Sequence, residues 1–466
     1  MSSKEKSQGR LLEEELAFSY PYIAKAAPVR VGEAKAFCED YKDFLTKGKT
    51  ERECVVEIIA RLEAAGYAPF DPARKYKAGD KVYKNNRGKS VLITTFGTKP
   101  ASEGLRMNMA HIDCPRLDLK PAPLYEKNDL AFFKTHYYGG VRKYQWVTIP
   151  LALHGVIFKK NGEMVTICYG EDESEPVLYI TDLLPHLAEK QKGRKLADGI
   201  RGEEMNVLVG TLPFPDEDVR HPVKLMVLCI LNEKYGITEA DFARAELEIV
   251  AAGPARDAGF DASLVMATGQ DDRVCAYTAL RADIDTRLPE HTTVTVLTDK
   301  EEIGSIGNTG LDSDYLRQYL QYLAENDGSD YRVMCEHTMC LSSDVNAGFD
   351  PTFPDVYDPL NSAYIGKGPT FMKYTGQRGK VYANDASAET MNKVIGIFEK
   401  EGVYWQISEL GKVDEGGGGT VSKFVAGLNI DVVDIGVPVL AMHAPKEIVS
   451  KLDVYEAYKA YKAFYK

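Results

Sequence analysis

The chain has 466 residues, enough for two or three domains, and its 44% hydrophobic, 27% charged composition is ordinary for a folded water-soluble protein. A formal net charge of -12 argues against nucleic acid or an anionic membrane as a main partner, since both need a basic surface. No apolar run is long enough to span a bilayer and the start carries no apolar leader core; eight scattered cysteines read as reduced thiols of a cytoplasmic protein, mostly buried in core and not on a metal.

In chain order, three- and four-residue apolar spacing predicts helices over 33–47 and 50–66. "KSVLITTFG" (89–97) and "LRMNMAHID" (105–113) read as strands. Between 118 and 245 the character changes to short aromatic or β-branched runs separated by turn residues, closed by a helix over 221–236. From "RAELEIVAAG" (244–253) onward strand-like and helix-like segments alternate to the end, the pattern of an α/β domain with a parallel or mixed sheet. The expected organisation is therefore one discontinuous α/β domain, residues 1–117 and 246–466, interrupted by a β-rich insert at 118–245. "DEGGGGT" (414–420) reads either as a flexible loop or as backbone that must approach a ligand closely.

"LTDKEEIGSIG" (297–307) raises a question of charge. A β-branched run ends in two adjacent glutamates, Glu301 and Glu302, and like charges at the lip of a core are unfavourable unless positive charge meets them. Other segments place a histidine or acid at similar strand ends. His111 in "NMAHIDCPRLDLKP" has Asp113 two residues on, a spacing at which a carboxylate can orient a ligand imidazole. His443 follows the apolar run of "VPVLAMHAPKE", Asp271 and Asp272 open a helix in "GQDDR", and Asp344 follows "MCLSS". Singly, these are structural histidines, helix-start acids or an Asx turn. Jointly, they bring nitrogen and oxygen ligands without thiolate to the strand ends of one sheet, where ligand crevices form, and that donor set suits zinc, manganese or cobalt. Two divalent ions bring four positive charges; Asp271, Glu302, Asp344 and a bridging hydroxide answer them, so that one glutamate of the pair binds metal and the other handles water.

The segments "AHIDCPRLDLKP", "GQDDR", "DKEEIGS", "SSDVNAGFDPTF", "KGPTFMKY", "DEGGGGTVSKFVAGL" and "VDIGVPVLAMHAPKE" together resemble the M18 family of metallo-aminopeptidases, the aspartyl aminopeptidase and vacuolar aminopeptidase I group. The resemblance implies a mixed-sheet zinc-peptidase fold with a β-rich insert, two metal ions per subunit, peptide substrates with a free N-terminus, and a homo-oligomer, typically a tetrahedral dodecamer. It implies His111, Asp271, Glu302, Asp344 and His443 as metal ligands with Asp271 bridging, Glu301 as general base, and Asp113 as the residue that orients His111. It places Lys373 of "KGPTFMKYTG" near the substrate side-chain pocket, against the ordinary reading of a strand lysine on a solvated face. It also implies that His154, ending "IPLALH", reaches a neighbouring subunit's active site, against the ordinary reading of a strand histidine. Two departures, Asp350 where the family commonly has histidine and the glycine loop where it has Cys-Gly-Thr, bear on side-chain preference. The rival readings are a related dinuclear amidohydrolase, such as an acyl-amino-acid deacylase or carboxypeptidase, and a non-catalytic assembly protein.

Overall fold

The computed structural model describes residues 6–466 and is a mixed α/β protein with three main sheets. The largest has nine strands, in the spatial order 68–69, 81–86, 90–95, 293–298, 106–111, 339–343, 431–436, 370–372 and 406–407. Its centre is parallel: 293–298 pairs with 106–111, that strand with 339–343, and that in turn with 431–436. Antiparallel strands flank it at 90–95 and 370–372, which makes the sheet mixed, as expected.

Residue alternation explains why this sheet is buried on both faces. In Arg106–His111, Met107 and Met109 join one core, while Ala110 and then Ile112 join the other. In Thr293–Thr298, Val294 and Val296 enter the core with Met107. The alternate threonines face the opposite side, where Thr295 donates to Asp283 at 2.7 Å and Thr95 donates to the same carboxylate at 2.8 Å. Asp283 belongs to helix Gln270–Ile284, which is buried almost throughout and packs against the C-terminal helix Lys451–Tyr465 and the helix Val29–Lys47. The helix expected over 50–66 runs Glu51–Ala64, because Thr50 caps it and Glu53 reaches back in a capping box. On the other face lie helices Tyr315–Asp327 and Tyr331–His337, with Leu316, Tyr319, Leu320 and Met334 in the core.

The second sheet has seven strands, in the order 164–169, 151–158, 245–251, 116–127, 130–138, 207–210 and 179–180. Helix Pro222–Tyr235, near the expected 221–236, packs on it. Strand Ala245–Ala251 pairs antiparallel with 151–158 and 116–127, so by hydrogen bonding it belongs to this sheet, although the sequence pattern groups it with the alternating strands and helices C-terminal to it. A third sheet of five short strands, 256–258, 264–267, 447–450, 438–440 and 346–347, lies beside the ends of the first; the sequence pattern does not separate it. All eight cysteines are free, and six are buried. No helix among the described residues is long and apolar enough to cross a membrane.

Candidate metal centre

Topology assembles the site. His111 ends strand Arg106–His111, Asp344 follows strand Met339–Ser343 directly, and Glu301 and Glu302 lie in a short 3-10 turn just beyond strand Thr293–Thr298. These strands are parallel neighbours, so their carboxyl ends coincide. The third sheet supplies the remaining two donors. Asp271 follows strand Leu264–Ala267, at the kinked start of helix Gln270–Ile284, where residues 271 and 272 are non-helical and joined by a cis peptide bond. His443 comes just after strand Pro438–Leu440, with φ +63°.

The five residues expected as ligands converge. Asp271 spans the two imidazoles: its Oδ1 is 3.2 Å from His111 Nε2 and its Oδ2 is 3.1 Å from His443 Nε2. On the first side Asp344 Oδ1 is 3.7 Å from His111 Nε2; on the second Glu302 Oε1 is 3.6 Å from His443 Nε2. Glu301 Oε2 stands 4.0 Å from His111 Nε2, at the edge of the first group.

Each imidazole turns one nitrogen to this centre and has the other engaged. His111 Nδ1 lies 3.0 Å from the backbone carbonyl of Asp113 and 3.3 Å from its carboxylate. Asp113 is fully buried, and its carboxylate also accepts from the backbone N–H groups of Glu301 and Glu302, both at 3.2 Å, and from the Tyr138 hydroxyl at 2.9 Å. Asp113 therefore holds the turn that carries both glutamates as well as the His111 ring. His443 Nδ1 lies 2.9 Å from the Gly140 carbonyl. A Cβ at Gly140 would come within 3.1 Å of that nitrogen, so the glycine permits the approach.

The electrostatics call for cations. Asp113, Asp271, Glu301, Glu302 and Asp344 surround two imidazoles. Burial, joined by neighbouring carboxylates, pushes Glu302 and Asp344 above the usual range and Glu301 up to about 8. Burial opposes charge on both rings, but Asp113 and Asp271 outweigh it and raise His111, and Asp271 and Glu302 raise His443 to about 10. His111 Nε2 and Glu302 Oε1 are buried with no hydrogen-bond partner, although both point into the cluster. Orphaned donors of both types in a cluster with excess negative charge fit divalent metal ions, and the set without thiolate suits zinc, manganese or cobalt.

A cavity of about 470 Å³ opens over the centre. Asp271, Glu301, Glu302, Asp344 and His443 line it with Met372, Phe424, Met442, Lys423 and the loop Gly417–Thr420. The glycine loop therefore does approach the site, and Gly417 (φ +115°) has no room for a Cβ, which would lie 2.1 Å from the Gly376 carbonyl oxygen. Asp350 does not line the cavity; its carboxylate accepts from Thr352 N at 2.8 Å in an Asx turn. Lys373 does not line it either. Its ammonium is paired with Asp385 at 2.7 Å on the surface, while Met372 and Thr375 from the same segment face inward. The cavity's lysine is Lys423, which sequence reasoning passed over although it lies three residues beyond the glycine loop.

Within the chain His154 takes the ordinary place of a strand histidine. It is 2% exposed on strand Leu151–Phe158, with Nδ1 2.8 Å from Glu53 and Nε2 3.2 Å from Glu171 of the same chain. Within this chain both ring nitrogens are thus taken up by half-buried carboxylates. The second sheet instead touches the centre through Tyr138 and Gly140, at the end of strand Leu130–Tyr138. The paired glycines after "THYY" were the signal for that approach. Glu447, four residues beyond His443, was also missed.

The chain matches the family model described as Aminopeptidase I zinc metalloprotease (M18) over residues 44–465. A probable M18 family aminopeptidase 1 of Clostridium acetobutylicum is 48% identical over 440 residues, covering 93% of this chain and 95% of the relative. The namesake from Thermotoga maritima is 44% identical over 437 residues, covering 92% and 96%. Among solved structures, the C. acetobutylicum aminopeptidase I superposes with a TM-score of 0.91 at 46% identity, over 97% of this chain and 100% of that one. The T. maritima M18 aminopeptidase gives 0.89 at 43% identity, over 93% and 97%. With the expected fold observed and the family's motifs in place, the chain belongs to the M18 family and is a metallo-aminopeptidase.

Proposed function

We propose that this aminopeptidase is dinuclear and removes single residues from the free N-terminus of peptides, with Glu301 as general base. One observation carries the reading: Asp271 lies between His111 and His443, with Asp344 on one side and Glu302 on the other. His111, Asp271 and Asp344 would hold one ion, and Asp271, Glu302 and His443 the second; zinc is favoured, with cobalt or manganese also compatible. Bound there, the ions would supply Lewis acidity and a water whose pKa falls from 15.7 toward about 7.

The chain's own groups do the rest. Glu301 faces the cavity beside the ligand set without lying between the imidazoles, so it takes a proton from the attacking water and returns it to the leaving amine. Asp113 fixes the turn that carries it. The acids of the centre attract the substrate's α-ammonium, which restricts cleavage to the first residue. Lys423 is the lysine of the cavity wall and the group best placed to meet an acidic side chain there.

We read the chain as a catalytic unit (1–117 and 246–466) around a β-rich unit (118–245), with strand 245–251 bound to the latter's sheet. A homo-oligomer, a tetrahedral dodecamer by family resemblance, and a cytoplasmic location complete the proposal; the free cysteines support the latter. The solved dodecamer of yeast mApe1 resembles this chain in fold, at 18% identity and a TM-score of 0.76. The test measures bound metal on protein purified without chelator, then compares cleavage of one peptide with free and acetylated N-termini. Two ions per chain and cleavage of the free form alone are expected. Preference for the acetylated peptide would move the protein to the deacylases, and full metal loading without any turnover would favour an assembly role.

A further inference from the structure

Glu447 opens strand Glu447–Ser450 of the third sheet and is 1% exposed. Its two carboxylate oxygens serve two different segments: Oε2 accepts the backbone N–H of Asp271 at 3.0 Å, and Oε1 accepts the backbone N–H of His443 at 2.7 Å. Asp271 and His443 are 172 residues apart in sequence and lie in irregular backbone, the first in the non-helical start of a helix and the second at positive φ. Regular secondary structure fixes neither. The clamp itself is fixed, because Glu447 pairs in register with Ala267 and its own carbonyl accepts from Gln270 Nε2 at 2.6 Å.

We propose that Glu447 is a positioning residue that clamps two ligand-bearing loops at the separation at which Asp271 and His443 share an ion. This inference rests on the dinuclear reading above. The carboxylate matters because both partners are donors. An amide in the same place presents only one acceptor, and its NH2 group would face the other N–H. Glu447 does not line the cavity and both its carboxylate oxygens are taken up by backbone N–H groups, so its effect runs through ligand geometry. Groups that orient metal ligands in this way typically contribute about 10- to 100-fold in metal affinity.

The experiment titrates metal-depleted protein with zinc against a chromophoric chelator, for the wild type, Glu447→Gln and Glu447→Asp, with circular dichroism and oligomeric state as folding controls. The wild type is measured first: fewer than two ions bound would overturn the dinuclear reading itself, independently of the clamp. With two ions bound, Glu447→Gln is expected to fold and assemble normally but lose about 10-fold or more in affinity for one ion and less for the other. Saturating zinc should then restore most of kcat, as it would not for a lost catalytic group. Glu447→Asp keeps the charge but is one methylene too short to reach both N–H groups, so it is expected to show the same selective loss and gives the answer if the Gln variant fails to fold. Unchanged affinity for both ions in a folded variant, whatever its melting temperature, would overturn the proposal and leave Glu447 a structural residue.

Discussion

Asp113→Asn is the sharpest probe of how the centre is held together. In the native structure one carboxylate serves four groups. Oδ1 takes the Glu301 N–H at 3.2 Å and faces His111 Nδ1 at 3.3 Å; Oδ2 takes the Glu302 N–H at 3.2 Å and the Tyr138 hydroxyl at 2.9 Å. Asparagine is isosteric but has one acceptor oxygen in place of two. If its oxygen stays under Glu301, its NH2 group confronts the Glu302 N–H. Tyr138 can adapt by rotating its hydroxyl to accept, but a backbone N–H cannot. The substitution therefore orphans one buried donor, at a cost of about 1–3 kcal/mol. His111 keeps the Asp113 backbone carbonyl at 3.0 Å, so its ring is not released altogether. Should that cost fall on the metal-loaded arrangement, it amounts to about 5- to 150-fold, at 1.36 kcal/mol per factor of ten. Metal affinity by chelator competition, read beside the melting temperature and kcat, is the assay. A folded Asp113→Asn protein with native metal affinity and native turnover would refute the reasoning and reduce Asp113 to a turn acid.

Three further outcomes are expected. Glu301→Gln should keep both ions and lose about 100-fold or more in kcat, whereas Glu302→Gln should weaken metal binding, and the opposite pattern in a metal assay would reverse the roles of the pair. Lys423→Met should lower turnover of peptides beginning with Asp or Glu more than those beginning with Leu, while Lys373→Met should not discriminate; equal loss across these substrates for Lys423→Met would remove it from side-chain selection. His154 concerns stability. Burial opposes charge on its ring, but hydrogen bonding with Cys168, Glu171 and Glu53 outweighs it and holds its pKa well above the ordinary value. A folded-state pKa raised in this way stabilises fully below the unfolded value of about 6.5, and that contribution is lost as pH rises through the folded value. The melting-temperature gap between the wild type and His154→Gln should therefore be larger near pH ~6 than near pH ~9, and a gap constant with pH would refute the charged ring.

The range of each interaction decides how legible it is in the sequence. Strand 106–111 is legible because Met107 and Met109 recur at the two-residue spacing of a strand, and the candidate ligands His111, Glu302 and Asp344 are legible because each lies at or just beyond a strand end. The surroundings of Lys373 and His154 were illegible for a common reason. Each sits on or beside a strand, where side chains alternate between faces, and the face toward the site is set by tertiary packing that a short motif does not encode. Met372, next to Lys373, has the inward face. Strand 245–251 pairs with partners far from it in sequence, 151–158 and 116–127, and nothing local to it marks which sheet it joins. The support shell was less legible still, because Tyr138, Gly140 and Glu447 act through backbone groups or through other supporting residues, and such contacts make no demand on the ligand's own sequence neighbourhood.

That shell changes how the β-rich unit should be understood. By pattern it is a β-rich insert, to which the family resemblance adds oligomerisation and the completion of a neighbouring subunit's active site. Yet its Tyr138 hydroxyl donates to the Asp113 carboxylate that holds both glutamates, and its Gly140 carbonyl meets the His443 nitrogen turned away from the cluster. Gly139 lies against Glu302 as well, where a Cβ would come within 3.1 Å of the carboxylate. One strand end of the second sheet thus touches the supports of both imidazoles and of Glu301. The two sheets meet through buried polar groups that are satisfied only when they are together, and burial makes each unmet partner costly. The candidate centre is in this sense a product of the junction: the nine-stranded sheet supplies His111, Asp344 and the glutamates, the five-stranded sheet supplies Asp271 and His443 under Glu447, and the β-rich sheet holds the ring and turn orientations that let those side chains face one another.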